Sequence, residues 1–251
     1  MPTVFDRALH AYRRGIASHV CLRMATLTLD RPLISFTFDD FPTNAFDEGG
    51  KILAAHGIAG TYYVSLGLLG TVAPTGRIVT ADRLPELLAA GHELGCHTYS
   101  HLHSWSTAPA VFERDVLRNR LALKALVPSA VFESFSYPIS EPRPGTKMRT
   151  APHFRCSRLG GQRANVGRLD LNQMSAFFLE KTRGDIAPIR RLLDETVGAR
   201  GWLVFATHDV AESPTPFGCT PSFFEQVVRL SRASGASILP VARALDIVLR
   251  G

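Results

Sequence analysis

Two adjacent aspartates, Asp39 and Asp40, end the apolar run ISFTF at residues 34–38. Further along, His97 and His101 stand four apart in HTYSH, and His208 and Asp209 follow the apolar run WLVFAT at 202–207. Side chains four apart share one side of a helical turn, near enough to hold one metal. Two neutral imidazoles and a carboxylate form a common hydrolytic metal set that leaves positions for water and substrate. Successive strand side chains face opposite ways, but a turn at the strand end can bring both aspartates to one cavity. One would then ligate the metal while the other takes a proton from bound water. The alternative is that one of them caps the following helix. His208 alone reads as a hydrogen-bonded structural histidine, but opposite a metal it is a candidate acid for a leaving group. Asp209 either orients a ring or begins the next loop. His103 is a rival ligand. His92 sits in a short strand, and His10, His19, His56 and His153 have no partner in the sequence.

The elements that must position these residues alternate. Strands are expected at 34–38, 60–65, 91–96, 131–137, 202–207 and 236–239. Helices are expected at 46–56, stopped by Gly57, and at 80–90 with Thr80 or Asp82 as N-cap. Further helices are expected at 110–126, 186–197 and 221–234. The 110–126 helix carries Val111, Val116, Leu117, Leu121, Leu123 and Leu126 as its apolar residues. Such alternation predicts an α/β fold with a parallel sheet and outer helices. Six or seven strands suit a barrel, whose chemistry sits at the carboxyl ends of the strands. The loop at 138–146 follows one such end. No repeat, low-complexity segment or interdomain linker is visible.

The 251 residues are 45% hydrophobic and 20% charged, a soluble globular composition. No apolar run reaches the roughly 18 residues that a membrane span needs. The N-terminal stretch lacks the apolar core of a secretory signal. Its Phe5, Leu9, Tyr12, Ile16 and Val20 recur at helical spacing. This predicts an amphipathic helix packed on the domain, or else a basic helix resting on anionic membrane. The net charge of +6 comes from scattered arginines, which argues against a nucleic-acid partner and allows a mild preference for anionic ones. Four cysteines without a CxxC pair exclude a zinc ribbon and a thioredoxin-type motif. Reduced thiols in a cytoplasmic protein are expected.

Taken together, FTFDD at 36–40, HTYSH at 97–101, SYP at 136–138 and THD at 207–209 resemble, in order and spacing, the polysaccharide deacetylase family. This is the NodB-homology domain, carbohydrate esterase family four. The resemblance covers about residues 33–245. It implies a distorted (β/α)7 barrel at 33–245 behind a helical extension at 1–30, within a single domain spanning 1–251. It also implies metal-dependent removal of N-acetyl, sometimes O-acetyl, groups from sugars. On the matching positions, Asp39 resembles the catalytic base and His208 the catalytic acid. Asp40, His97 and His101 resemble the ligands of a divalent metal, usually Zn2+, with Co2+ or Ni2+ also accepted. A main-chain amide near Ile139, next to Tyr137, would serve the oxyanion. The implied partner is an acylated sugar, oligosaccharide or glycolipid, with peripheral membrane contact through the basic helix and no nucleic acid.

The sequence departs from the family pattern in three places. In the third motif Ser136 stands where an arginine normally holds the base, leaving Arg143, Arg155 or Arg158 as substitutes, and Ile139 stands where an aromatic would be. The Asp-rich fourth motif is not found, with Asp170 and Asn172 as weak candidates. Ala206 replaces the leucine before the last histidine. These departures mark a divergent member. They leave open a catalytically silent sugar-binding relative, or an O-acetyl glycan esterase using the same site.

Overall fold

The computed structural model describes residues 4–250. In chain order, helix α1 (Val4–Ala17) and strand β1 (Met24–Thr26) precede β2 (Leu33–Phe38). A π-helical turn at Ala45–Gly50 then runs into α2 (Lys51–Ala55), followed by β3 (Thr61–Val64), a small hairpin of β4 (Val72–Ala73) and β5 (Gly76–Arg77), and α3 (Arg83–Ala89). Next come β6 (Glu93–Cys96), α4 (Pro109–Leu126), β7 (Ser134–Ser136), α5 (Pro144–Thr150), β8 (Cys156–Gly160), β9 (Arg168–Asp170) and β10 (Met174–Phe178). The chain finishes with α6 (Ala187–Gly198), β11 (Trp202–Thr207), α7 (Pro221–Ala233), β12 (Ser237–Ile238) and α8 (Val241–Val248). Seven parallel strands in the order β2, β3, β6, β7, β8, β10, β11 close on themselves, because β11 also pairs with β2 along its whole length. This is the expected barrel.

Strand periodicity explains why two cores exist. In β2, Ile34, Phe36 and Phe38 face outward and pack with Phe205 and Phe224 under the helical layer. Leu33, with Cys156, Met174, Trp202, Val204 and Ala206, lies in a second cluster that α8 plugs with Val241, Leu245 and Val248. Burying each such large side chain is worth about 1.5–3 kcal/mol. Above this floor the interior turns polar. Trp202 Nε1 donates to Ser35 Oγ at 3.0 Å, and Thr37 Oγ1 donates to the Phe205 carbonyl at 2.8 Å. Gly95 is required there, since a Cβ would collide with the Tyr63 ring.

The wall at β8 and β10 is built differently from the rest. Their connection carries β9 instead of a helix, and β9 pairs antiparallel with β1. The segment from α1 through β1 supplies the cover. Gln173 Nε2 donates to the Arg14 carbonyl at 3.2 Å, and Arg23 N donates to Asp170 Oδ1 at 2.9 Å. Fully buried Lys147 on α5 donates to the Ala17 carbonyl at 2.8 Å and to Gln173 Oε1 at 3.0 Å, and is paired with Asp170. A buried ammonium is tolerable only when its donors are satisfied in this way.

Several expectations change. Strands β8 and β10 had no counterpart among the expected elements, and β7 is shorter than the expected 131–137. Helix 46–56 begins as a π-helical turn, though Gly57 does end it with φ +66°. Asp82 sits at the N-cap of α3 without making a side-chain cap. On α4, Leu121 is 70% exposed, and Phe112 and Asn119 lie on the buried face instead. On α1, Tyr12 is 63% exposed and Val20 lies beyond the helix, while the Phe5 side chain lies outside the described residues. The residues that dock this helix are His10, Arg13, Arg14 and Ala17. No helix among the described residues is long and apolar enough to cross a membrane, and the four cysteines form no disulfide.

Candidate active site

The β2–β11 ladder extends one residue beyond β2, where Asp39 N donates to the Thr207 carbonyl at 3.0 Å. Asp39 therefore keeps the inward phase of Ser35 and Thr37. Asp40 should then point outward, but Asp40 and Phe41 adopt φ +62° and +60°. Two left-handed residues in succession are costly without glycine. Phe41 is held by its buried ring against Tyr62 and by Val79 N, which donates to its carbonyl. The turn brings Asp40 to the same cavity as Asp39.

At that cavity Asp40 Oδ1 lies 3.5 Å from His97 Nε2 and 3.0 Å from His101 Nε2. The three donor atoms fall within 4.8 Å of one another. Asp40 Oδ2 is occupied by the Thr75 hydroxyl at 2.9 Å, whereas the buried Oδ1 accepts no well-aligned hydrogen bond. His97 Nδ1 is 2.8 Å from the Ser136 carbonyl. A carbonyl can only accept, so Nδ1 carries the proton and Nε2 presents its lone pair. The HTYSH turn is anchored to α4 by Asp115, which accepts from Tyr99 N, Ser100 N and the Ser100 hydroxyl. An orphaned carboxylate oxygen facing two imidazole nitrogens fits a divalent cation with three protein ligands. Burial opposes ionisation of Asp40, but the facing His101, with His97 behind it, holds it well below the usual carboxylate range. Burial lowers His97 to about 4, keeping its ring neutral.

Asp39 is clamped by Arg158. Arg158 Nη2 pairs with Asp39 Oδ1, and Nη1 donates to Oδ2 at 3.2 Å. Nη2 also reaches Thr37 Oγ1 at 3.0 Å, and the guanidinium lies over the Tyr63 ring. Ser136 and Arg158 are direct register partners across β7 and β8. The guanidinium missing at Ser136 is thus supplied one strand sideways at the same height, and the Ser136 hydroxyl lies 3.4 Å from Asp39 Oδ2. Arg143 is spent on the carbonyls of Trp105 and Ser106, and Arg155 on Glu133 and Asp246. Burial would raise Asp39, yet Arg158, aided by His97 and His208, lowers it.

His208 follows β11 and lies between the rings of Phe178 and Phe217. Its Nδ1 donates to the Phe217 carbonyl at 3.1 Å, and Nε2 has no hydrogen-bond partner among the described residues. Asp209 does not orient this ring. It accepts from Thr215 N and the Thr215 hydroxyl and so shapes the 209–219 loop. Just past β10, Glu180 was missed in the sequence because β10 itself was missed. Burial pushes its carboxyl up to about 7 against the opposing influence of His208, and its Oε2 has no partner among the described residues.

Other candidates fall elsewhere. The Tyr137 ring packs against Phe135, away from the cavity, and its N–H is taken by the Arg158 carbonyl, so Tyr137 offers the site nothing. Ile139 caps β7 with φ +66°, and its N–H has no partner among the described residues. Asp170 and Asn172 bind Arg23 below α1 and do not replace a fourth motif. His103 Nδ1 accepts from Trp105 N and Ser106 N, and His92 Nδ1 accepts from Gly60 N, so both are structural. His10 binds Glu141 and His153 binds Glu113.

The polysaccharide deacetylase family model matches residues 26–150, which include Asp39, Asp40, His97 and His101. Among solved structures, the chitin deacetylase of the fungal pathogen Colletotrichum lindemuthianum superposes with a TM-score of 0.64 at 16% identity, covering 87% of this chain and 89% of that one. A family 4 acetyl xylan esterase from Clostridium thermocellum, in complex with a cobalt ion, gives 0.60 at 18% identity over 86% and 91%. A CE4 family pseudoenzyme from Bacillus anthracis gives 0.60 at 10% identity over 87% and 66%. These likenesses establish a shared fold. A comparison with curated protein sequences found no match.

Proposed function

The chain belongs to the polysaccharide deacetylase family, and from that premise we propose that it is a metal-dependent hydrolase removing an N-acyl group, in the first instance N-acetyl, from a sugar. One observation carries this reading. Clamped Asp39, the Asp40–His97–His101 triangle and the free Nε2 of His208 converge at one barrel mouth. The Asp39–Arg158 pair keeps a base in place despite Ser136, which favours turnover over silent sugar binding.

A divalent cation at Asp40 Oδ1, His97 Nε2 and His101 Nε2, with zinc the natural choice for that donor set, would polarise the acyl carbonyl and acidify a bound water. Asp39, ionised beside Arg158, takes the water proton. The Ile139 N–H donates to the carbonyl oxygen as negative charge develops on it. His208 enters the step as the imidazolium, gives its Nε2 proton to the departing amine, a poor leaving group without one, and is left as the neutral ring with Nδ1–H on the Phe217 carbonyl. The exposed side chains of Ile139 and Phe217 give the rim an apolar surface suited to the C–H face of a sugar ring.

The test is metal analysis beside acetate and formate release, using N-acetylated oligosaccharides and an acetylated xylan. Asp39→Asn should keep the metal and lose about 10²–10⁴-fold in turnover, while Asp40→Ala should lose the metal. Normal turnover in Asp39→Asn would refute the assignment of the base, and exclusive release from acetylated xylan would refute the N-acyl reading.

A further inference from the structure

The loop that leaves β7 is held in an unusual conformation. Ser140 N donates to the Pro138 carbonyl at 2.7 Å across Ile139, whose φ is +66°. This is the rarer and more strained γ-turn form, and a β-branched residue at its centre is an outlier. Such strain persists only where the surroundings over-determine it.

The surroundings come largely from α1. The Glu141 carboxylate, with a side chain only 6% exposed, receives Arg14 Nη1 on Oε1 at 2.6 Å. Its Oε2 faces His10 Nδ1 at 2.7 Å and the Ser140 hydroxyl at 3.1 Å. Arg13 stacks over Trp105 and reaches towards Ser140 Oγ at 3.5 Å. Positions 10, 13 and 14 share one helical face, so one side of α1 grips both residues that follow Ile139. From the other side, the Ser104 hydroxyl donates to the Pro138 carbonyl at 2.8 Å.

We propose that Glu141 is a positioning residue. Through its pairs with His10 and Arg14, α1 holds the Pro138–Ser140 turn so that the free Ile139 N–H stays aimed at the oxygen of the reacting carbonyl. The helix is then a working part of the catalytic apparatus as well as cover for the barrel wall. This rests on the deacylase reading above. A merely structural Glu141 would lower the folded fraction and leave the kcat of folded enzyme intact.

The experiment compares wild type with Glu141→Ala, Glu141→Gln and Glu141→Asp, all zinc-loaded, with metal content and melting temperature as controls. Two readouts are taken: kcat against KM, and the shift of the Ile139 amide resonance on titration with acetate, whose carboxylate oxygens mimic the oxyanion. Removing an oxyanion donor outright costs about 10²–10³-fold in kcat. Loosening one should cost about 10- to 100-fold in Glu141→Ala, with KM and metal content within about twofold and partial recovery in Glu141→Asp. The acetate-induced shift should be present in wild type and reduced in Glu141→Ala. If wild type releases no acyl group but its Ile139 shift depends on Glu141, the deacylase reading falls and the clamp stands. No acetate shift at Ile139 in wild type, or an unchanged shift and kcat in folded Glu141→Ala, overturns the proposal.

Discussion

Arg158→Met is the most decisive perturbation of the cavity. The guanidinium and the Asp39 carboxylate are almost fully buried and joined through both Asp39 oxygens. With charge centres about 4 Å apart and an effective dielectric near 20, their attraction is about 4 kcal/mol. Methionine fills comparable volume and leaves Asp39 without its counter-ion. Breaking a buried pair from one side typically costs about 3–5 kcal/mol, a drop in Tm of roughly 6–20 °C for a chain of this size. The sign with pH distinguishes this cause from lost packing. In wild type the depressed Asp39 stabilises the fold above its ordinary value and loses that contribution as pH falls. In the variant burial acts with less opposition, so Asp39 should rise above its unfolded value, and the penalty should be full at pH 8 and shrink towards pH 5. Denaturant unfolding of metal-stripped protein at both pH values reads this directly, with Asp39→Asn and the double variant completing a cycle. A coupling of about 3 kcal/mol is expected. Additive single-variant costs, or a penalty indifferent to pH, would refute the clamp.

Two further outcomes follow from neighbouring residues. Glu180 is raised to about 7 by burial, so between about pH 4.5 and 7 the folded chain holds a proton that the unfolded chain has shed. Stability should fall by about 3 kcal/mol across that window as pH rises, and Glu180→Gln should flatten the slope in melting curves. An unchanged slope would show that other groups cause it. A Cβ on Gly218 would overlap Asp209 Oδ1 and its carbonyl, displacing the loop whose Phe217 carbonyl receives His208. Gly218→Ala should therefore lower kcat about 10- to 100-fold with metal content intact, and unaltered kcat would show that the His208 tautomer is set elsewhere.

The strand ends that carry chemistry were legible because a polar residue after an apolar run is hard to mistake. ISFTF before Asp39 and WLVFAT before His208 lie within β2 and fill β11. CSRLG was not legible, since a strand lining a partly polar barrel interior loses the apolar signature that marks a strand, and MSAFF, though mostly apolar, is too short for periodicity to tell a strand from a buried helical segment. Arg158 looked like one arginine among several, and its partner lies 119 residues away. The left-handed pair at Asp40 and Phe41 has no glycine to announce it. Helix α1 was legible as a helix, but its docking face was not. The apolar stripe suggested one face, whereas the buried Glu141 carboxylate selects the basic one.

The cover over β8 and β10 also has a consequence in time. Arg23 is bound by Asp170, 147 residues later, and Ala17 by Lys147, 130 residues later. At about 5–20 residues per second of synthesis, such a gap is roughly 7–30 s. An isolated helix of 14 residues is marginal in water, so α1 must wait, largely unfolded, for a wall that does not yet exist. The segment that holds the turn at Ile139 is thus made long before its partners and docks among the last, and the N–H proposed as oxyanion donor gains its full support only once the chain has grown past β9.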